Sequence, residues 1–354
     1  MPEALLTMKC KYIEHQASIR TDGQYRMCCV SLEPDNKETV HTHTPIQWLE
    51  SKTIQNARAK FANNEWPDAC IKCKTNEENG IQSMRQKTRP YGPGLSHLDL
   101  RFGNSCNLSC VMCFPGSSSS LHYEHESLLS KGIESPWGTQ RFEVYNWYDD
   151  DFGGKFANLD DLREVYLTGG EPMMVKHLDK FLEKLDSSVE LRFNTNCTII
   201  NPNVYNQLKR FKYVNMCLSI DGIGKVNDYI RWGSNWTDIE TNINKLSELP
   251  NIDLNVGPTI QIMNALYYNE FEEWAKKRNL KIYDNMLMYP LHLNLKNADD
   301  KIKESTPNFS HWHNGEADLK QRENFIKYTK ILDNNRGCNI KEFLPEVASI
   351  YGLS

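Results

Sequence analysis

From about Leu95 onward the chain alternates short β-branched or aromatic runs with segments of helical period, and this alternation restricts the fold more than any other feature. It is the mark of repeated βα units built around a parallel sheet. Strands are expected near 96–103, 164–168, 190–195, 214–220, 253–260 and 281–287. The intervening segments carry helical spacing: Leu178, Phe181, Leu182 and Leu185 share one face, as do Ile239, Ile243, Leu246 and Leu249. Thr237 with Glu240 reads as a capping box for the second helix, and Asn201-Pro202 starts the helix that carries Val204 and Leu208. Six units predict an α/β chain with an open, partial (β/α)6 barrel, whose chemistry belongs at the C-terminal ends of its strands.

Residues 1–94 precede this barrel, which is expected over 95–295, and 296–354 follow as a helical extension. At 354 residues, division into unequal domains is the default, because single cores rarely grow past about 250 to 300 residues. The first region contains a hairpin from Ile19 to Cys28 that turns at Asp22-Gly23, then a helix from Pro45 to about Asn63 capped by Thr44 and Gln47. A long insertion, 114–161, follows the first barrel strand. It includes a serine run at Ser117–Ser120 and an acidic run, Asp149–Asp151, that reads as a solvated turn.

A net charge of -5 with scattered Lys and Arg offers no basic stripe for phosphate neutralisation, so nucleic acid is not the expected partner. No stretch approaches 18 consecutive apolar residues, and Met1–Leu6 lacks the pattern of a signal peptide. The expectation is a cytoplasmic protein with no membrane partner. In such a compartment eleven cysteines point to metal or cluster ligation rather than disulfides. Cys197 and Cys217, which stand alone, read as small buried hydrophobes.

Cys106, Cys110 and Cys113 have the spacing C-x3-C-x2-C directly after the first barrel strand. Three thiolates on one loop can hold three irons of a cubane cluster and leave the fourth iron open to a ligand. The alternative is a zinc knuckle, which needs a fourth ligand from elsewhere. The segment Cys106-Asn107-Leu108-Ser109-Cys110-Val111-Met112-Cys113 resembles the signature of the radical S-adenosylmethionine (SAM) superfamily. The resemblance implies a [4Fe-4S] cluster on Cys106, Cys110 and Cys113 whose open iron binds SAM, with Met112 among the cofactor-binding residues. Reductive cleavage of SAM then yields methionine and a 5'-deoxyadenosyl radical that takes hydrogen from the substrate.

Further motifs follow in the family's order. Thr168-Gly169-Gly170-Glu171-Pro172 is similar to the turn that binds the SAM amino group, with Gly169 and Gly170 letting the backbone approach and Glu171 matching an ammonium. Asn194 and Asn196 are similar to the polar cluster that reaches the ribose. Ser219, Asp221 and Arg231 complete the implied SAM set, Ser219 and Arg231 toward the carboxylate, which suits the fork of Arg231.

Cys10, Cys28, Cys70 and Cys73 form a second set, with Gly23 five positions before Cys28 and a helix before the C-x2-C pair. Four thiolates satisfy one metal centre completely, a four-Cys zinc site being the alternative. This arrangement resembles the twitch domain, the one-cluster relative of the SPASM domain, and implies an auxiliary [4Fe-4S] cluster. That module usually follows the barrel, whereas here it precedes it. Cys29 competes with Cys28 as the ligand. The implied activity is that of a radical SAM oxidoreductase or a peptide- or metabolite-modifying enzyme, carrying out oxidation or bond formation on a peptide or small metabolite. An external one-electron reductant such as flavodoxin or ferredoxin supplies it. An iron-sulfur electron carrier and a zinc-stabilised interaction protein are the readings from other classes.

Overall fold

The computed structural model describes residues 8–32, 37–87, 92–148, 156, 159–313 and 315–353. The N-terminal segment and the acidic run Asp149–Asp151 lie outside them. Ten strands are described: β1 (Gln16–Ile19), β2 (Tyr25–Arg26), β3 (His97–Arg101), β4 (Glu164–Thr168), β5 (Glu190–Thr195), β6 (Val214–Leu218), β7 (Ile252–Val256), β8 (Thr259–Ile260), β9 (Lys281–Ile282) and β10 (Asn285–Met286). The chain is an α/β protein with mostly parallel strand pairs, and it divides into two compact units. The first comprises 1–104, 145–193 and 202–214; the second comprises 105–144, 194–201 and 215–354.

In the first unit the strands run in the order β2-β1-β3-β4-β5. β1 and β2 form the antiparallel hairpin expected from Asp22-Gly23, with Gly23 at φ +80°, where a side chain is strained. β1 also pairs in parallel with β3, Gln16 opposite His97 and Ile19 opposite Leu100, so the N-terminal region adds strands beside the first barrel strand.

Alternation decides which face each residue covers. Ala17, Ile19, Leu98, Leu100, Val165, Leu167, Leu191 and Phe193 are at most 1% exposed and make one apolar face, on which each large side chain contributes about 1.5–3 kcal/mol. The other face is polar: His97, Asp99 and Arg101 on β3 stand beside Glu164, Tyr166 and Thr168 on β4. Glu164 accepts ion pairs there from His97 at 3.3 Å and Arg192 at 3.2 Å. Purely parallel sheets are usually apolar on both faces, so this polar face marks the side that needs solvation or a ligand.

The long helix expected over 45–63 is two helices, Pro45–Leu49 and Lys52–Ala62, because Ser51 caps the second by accepting from the Ile54 amide at 3.3 Å. The Thr44–Gln47 capping box is present.

In the second unit β6, β7 and β9 are neighbours in that order, and β8 pairs in parallel with β10. The expected strands 253–260 and 281–287 are therefore each broken. Gly257-Pro258 interrupts the first: proline has no amide hydrogen, and a Cβ on Gly257 would lie 2.7 Å from Cys217 Sγ. Helix Trp236–Ser247 is capped by Asn235, which accepts from the Thr237 and Asp238 amides, rather than by Thr237. The extension is helical over Asp300–Ser305, Leu319–Arg336 and Pro345–Tyr351. Its Phe325, Leu332, Leu344 and Val347 share one core with Ile230, Ile260 and Ile262. Among the described residues no helix is long and apolar enough to cross a membrane.

Candidate functional site

Within the second unit the loop carrying Cys106, Cys110 and Cys113 is held from several sides through its backbone. Helix Ser119–Ser130 begins against it. Ser118, the N-cap, donates its hydroxyl to Leu108 O at 2.7 Å, while Ser119 and Ser120 hydroxyls donate to Cys106 O at 3.1 and 2.8 Å. The Cys106 amide in turn donates to Ser119 Oγ at 3.0 Å. The serine run, which stands out in the sequence only as a local bias, is thus the cradle of the loop. On the other side Ser109 N donates to Trp232 O at 2.8 Å and Val111 N to Ile230 O at 2.9 Å.

Two side chains point donors at the thiols. Asn196 Nδ2 lies 3.9 Å from Cys106 Sγ and 3.0 Å from Asn107 Oδ1, and Arg231 Nη1 lies 4.0 Å from Cys110 Sγ. Arg231 is also ion-paired through Nε with Asp221 Oδ2 at 2.8 Å, and both side chains are buried. Asp221 Oδ1 accepts from the Thr259 amide at 2.7 Å. Burial pushes the Asp221 carboxyl up against the opposing pull of Arg231, while the carboxylate keeps the Arg231 guanidinium charged despite its burial. Burial likewise raises Cys110 and Cys113, Cys110 being opposed by Arg231 and Cys113 by the Phe114 backbone and Arg231. Ser219 donates its amide to Thr195 O, at the end of the strand that leads to Asn196. Met112 packs partly buried against the core shared with the extension. Cys197 is buried, as a small hydrophobe should be, and Cys217 is half-buried.

The extension reaches the same loop, a role the sequence did not reveal. Arg336, at the end of helix Leu319–Arg336, forms a two-pronged ion pair with Glu124: Nε to Oε1 and Nη2 to Oε2, both 2.8 Å. Nη2 also donates to Ser109 O at 2.7 Å, and the guanidinium lies 5.3 Å from the Trp232 ring centre. Lysine keeps the charge but lacks the fork. Arg336→Lys is therefore expected to cost about 1–3 kcal/mol in denaturant unfolding and to speed iron release from the reconstituted protein to a chelator. Unchanged release would show that this clamp does not hold the loop.

The residues assigned in the Gly-Gly-Glu-Pro turn lie in the first unit. The turn after β4 places Gly169 at φ +81° and Gly170 at +26°; a Cβ on Gly169 would lie 2.7 Å from Arg101 Cβ, so only glycine fits. Glu171 is buried and accepts from the Met173 amide at 3.0 Å, which caps the short turn that follows. Asn194 closes β5.

Cys10, Cys28, Cys70 and Cys73 line one pocket. The amide of Leu32 donates to Ala69 O at 2.8 Å and ties the Cys28 loop to the turn bearing Cys70. Arg85 borders the pocket, anchored by Glu77 at 3.0 Å from Nε and by Lys9 O at 2.8 Å from Nη1. Burial pushes the Cys28 and Cys70 thiols up to about 12, and neighbouring thiols add to this. Cys29 is not among the lining residues; its electrostatic neighbours are Asp99, Arg26 and Arg101.

Both thiol sets fit iron-sulfur clusters in donor chemistry. Each is all sulfur, one of three and one of four, and an apolar wall of Ile13, Met27, Phe61 and Trp66 surrounds the second. Among the described residues no three His, Cys, Asp or Glu side chains are gathered as a site for a single metal ion. A cubane, which spreads its ligands around four irons, accepts a wider set.

The chain is similar to several known proteins. An uncharacterised protein of Methanocaldococcus jannaschii is 24% identical over 144 residues, 39% of this chain and 42% of that protein. GTP 3',8-cyclase of Clostridium botulinum is 24% identical over 136 residues, 38% of this chain and 37% of the cyclase. The matches thus span less than half of these curated relatives. Among solved structures, anSMEcpe with bound AdoMet is similar at 18% identity and a TM-score of 0.42, over 61% of this chain and 60% of that one. Streptococcus suis SuiB bound to precursor peptide SuiA is similar at 14% identity and a TM-score of 0.38, over 88% and 56%. The family described as the Radical SAM superfamily matches residues 100–277, half of the chain, from the end of β3 through the cysteine loop and the strands that follow, and the chain belongs to that superfamily.

Proposed function

We propose that the protein is a two-cluster enzyme that cleaves SAM reductively and oxidises, or forms a bond in, a peptide or a small metabolite. The observation that carries the two-cluster reading is the pocket lined by Cys10, Cys28, Cys70 and Cys73, four thiols from three separate stretches of chain and a complete ligand set with no position left open. When bound, the cluster on Cys106, Cys110 and Cys113 supplies one electron to SAM, giving methionine and the 5'-deoxyadenosyl radical. Around it, this chain's residues hold and tune. The serine hydroxyls and Arg336 fix the loop, and Asn196 and Arg231 direct N–H groups toward two sulfurs; in the first unit the Glu171 carboxylate has the chemistry to take an ammonium such as the SAM amino group.

A complete auxiliary ligand set favours electron transfer over substrate ligation, which accords with oxidation or with ring closure of the kind named in GTP 3',8-cyclase. An external one-electron carrier such as flavodoxin or ferredoxin would reduce the first cluster. The domain reading 1–94, 95–295 and 296–354 stands as part of this proposal, with Cys28 rather than Cys29 as the auxiliary ligand.

Anaerobic reconstitution, iron and sulfide counting, and treatment with dithionite and SAM test it. About eight irons per chain with 5'-deoxyadenosine released is the expected result, since two cubanes hold four irons each. Four irons with no deoxyadenosine would favour an electron carrier, and zinc without iron would remove the enzymatic reading. In the variant Cys70→Ala/Cys73→Ala, deoxyadenosine release should persist while iron falls by about half; unchanged iron would show that the pocket holds no cluster.

A further inference from the structure

The polar face of the first unit's sheet holds a charge cluster that none of these roles uses. Ser18 on β1 pairs with both Arg26 on β2 and Asp99 on β3, so the three stand in one row across the sheet. Ser18 Oγ donates to Asp99 Oδ2 at 2.8 Å and accepts from Arg26 Nε at 3.2 Å. Arg101, two positions after Asp99, leaves β3 on the same face and donates from Nε to Thr168 Oγ1 at 3.3 Å.

Two guanidinium groups and one carboxylate therefore share this patch, and the charge of Arg101 reaches Arg26. Asp99 is 2% exposed, and its Oδ1 is buried without a hydrogen-bond partner, as is Nη2 of Arg26. Among the described residues neither arginine forms an ion pair within 4.0 Å. Like charges gathered on a partly buried face with donors unspent are costly unless an anion completes them.

We propose that Arg26 and Arg101 together bind an anionic group of the substrate, a carboxylate or a phosphate. The proposal rests on the enzymatic reading and deepens it by giving the substrate a charge and a place. The guanidinium fork donates two parallel hydrogen bonds to either anion. The patch also adjoins both assigned elements of the first unit. Arg101 packs against Gly169 of the Gly-Gly-Glu-Pro turn, and Arg26 lies two residues before Cys28 of the thiol pocket. An anion held here anchors the substrate beside the turn assigned to SAM and beside the auxiliary ligands.

The test uses the reconstituted, SAM-loaded full chain, with 13C-acetate and inorganic phosphate as probes and 13C-acetamide as the uncharged control, each followed by NMR line broadening. Saturable broadening of an anion but not of acetamide is expected, weakened about tenfold in Arg26→Gln and in Arg101→Gln. Preference for acetate assigns a carboxylate and preference for phosphate assigns a phosphoryl group; both support the site. No saturable broadening, or broadening unchanged in both variants, overturns it. If a Gln variant loses iron, Arg26→Lys and Arg101→Lys replace the pair, with binding expected several-fold weaker; full affinity in both lysine variants also overturns the site. SAM binding to the unmodified protein is measured separately, so a failure of the enzymatic reading shows there and not in the anion titration.

Discussion

Replacing Cys106, Cys110 and Cys113 together by alanine is expected to remove about half of the reconstituted iron and all release of 5'-deoxyadenosine. The backbone of this loop is fixed by Ser118, Ser119 and Ser120, by the carbonyls of Trp232 and Ile230, and by Arg336, none of which depends on a thiol. Alanine therefore removes ligands while leaving the frame, and no buried hydrogen bond of the backbone is orphaned. The remaining iron should belong to the four-thiol pocket. Iron and sulfide counting with chromatographic detection of deoxyadenosine decides the matter, and persistent cleavage by the triple variant would remove the catalytic assignment of these cysteines.

Asp221→Ala is expected to cost about 3–5 kcal/mol, because it strands the buried Arg231 cation and leaves the Thr259 amide without its acceptor. Thermal unfolding should fall by roughly 10 °C. The double variant Asp221→Leu/Arg231→Met removes both charges and should recover much of that loss, since burying a cation alone is what is costly. It should not recover SAM chemistry, because the N–H group directed at Cys110 is gone. A melting temperature unchanged by Asp221→Ala would mean that the pair does not support this part of the second unit.

Much of this was legible in the sequence. Short β-branched or aromatic runs located β3, β4, β5 and β6 within a few residues, and Asp22-Gly23 located the hairpin. The C-x2-C pair, the helix before it and the two earlier cysteines predicted four thiols that do line one pocket. What was not legible depended on distant partners. Nothing local says that β1 would pair with β3, 81 positions away at Ser18 and Asp99, or that Gly257-Pro258 would pass the chain from one sheet to another. Arg231 read as a SAM ligand, and its sequence neighbours do not show that Asp221 pairs with it. The polar face was present in the letters of His97-Leu98-Asp99-Leu100-Arg101. It became informative only once the register set Asp99 beside Ser18 and Arg101 beside Thr168.

The bond from Arg336 to the Ser109 carbonyl spans 227 positions. On a ribosome adding about 5–20 residues per second, the cysteine loop is made some ten to forty-five seconds before its clamp exists. During that interval the loop has only its serine cradle and the strands that follow, so the three thiols meet the cell in a looser frame than they later occupy. Cluster delivery in that window competes with oxidation of exposed thiols, and the order in which the chain emerges becomes part of how the cofactor is acquired.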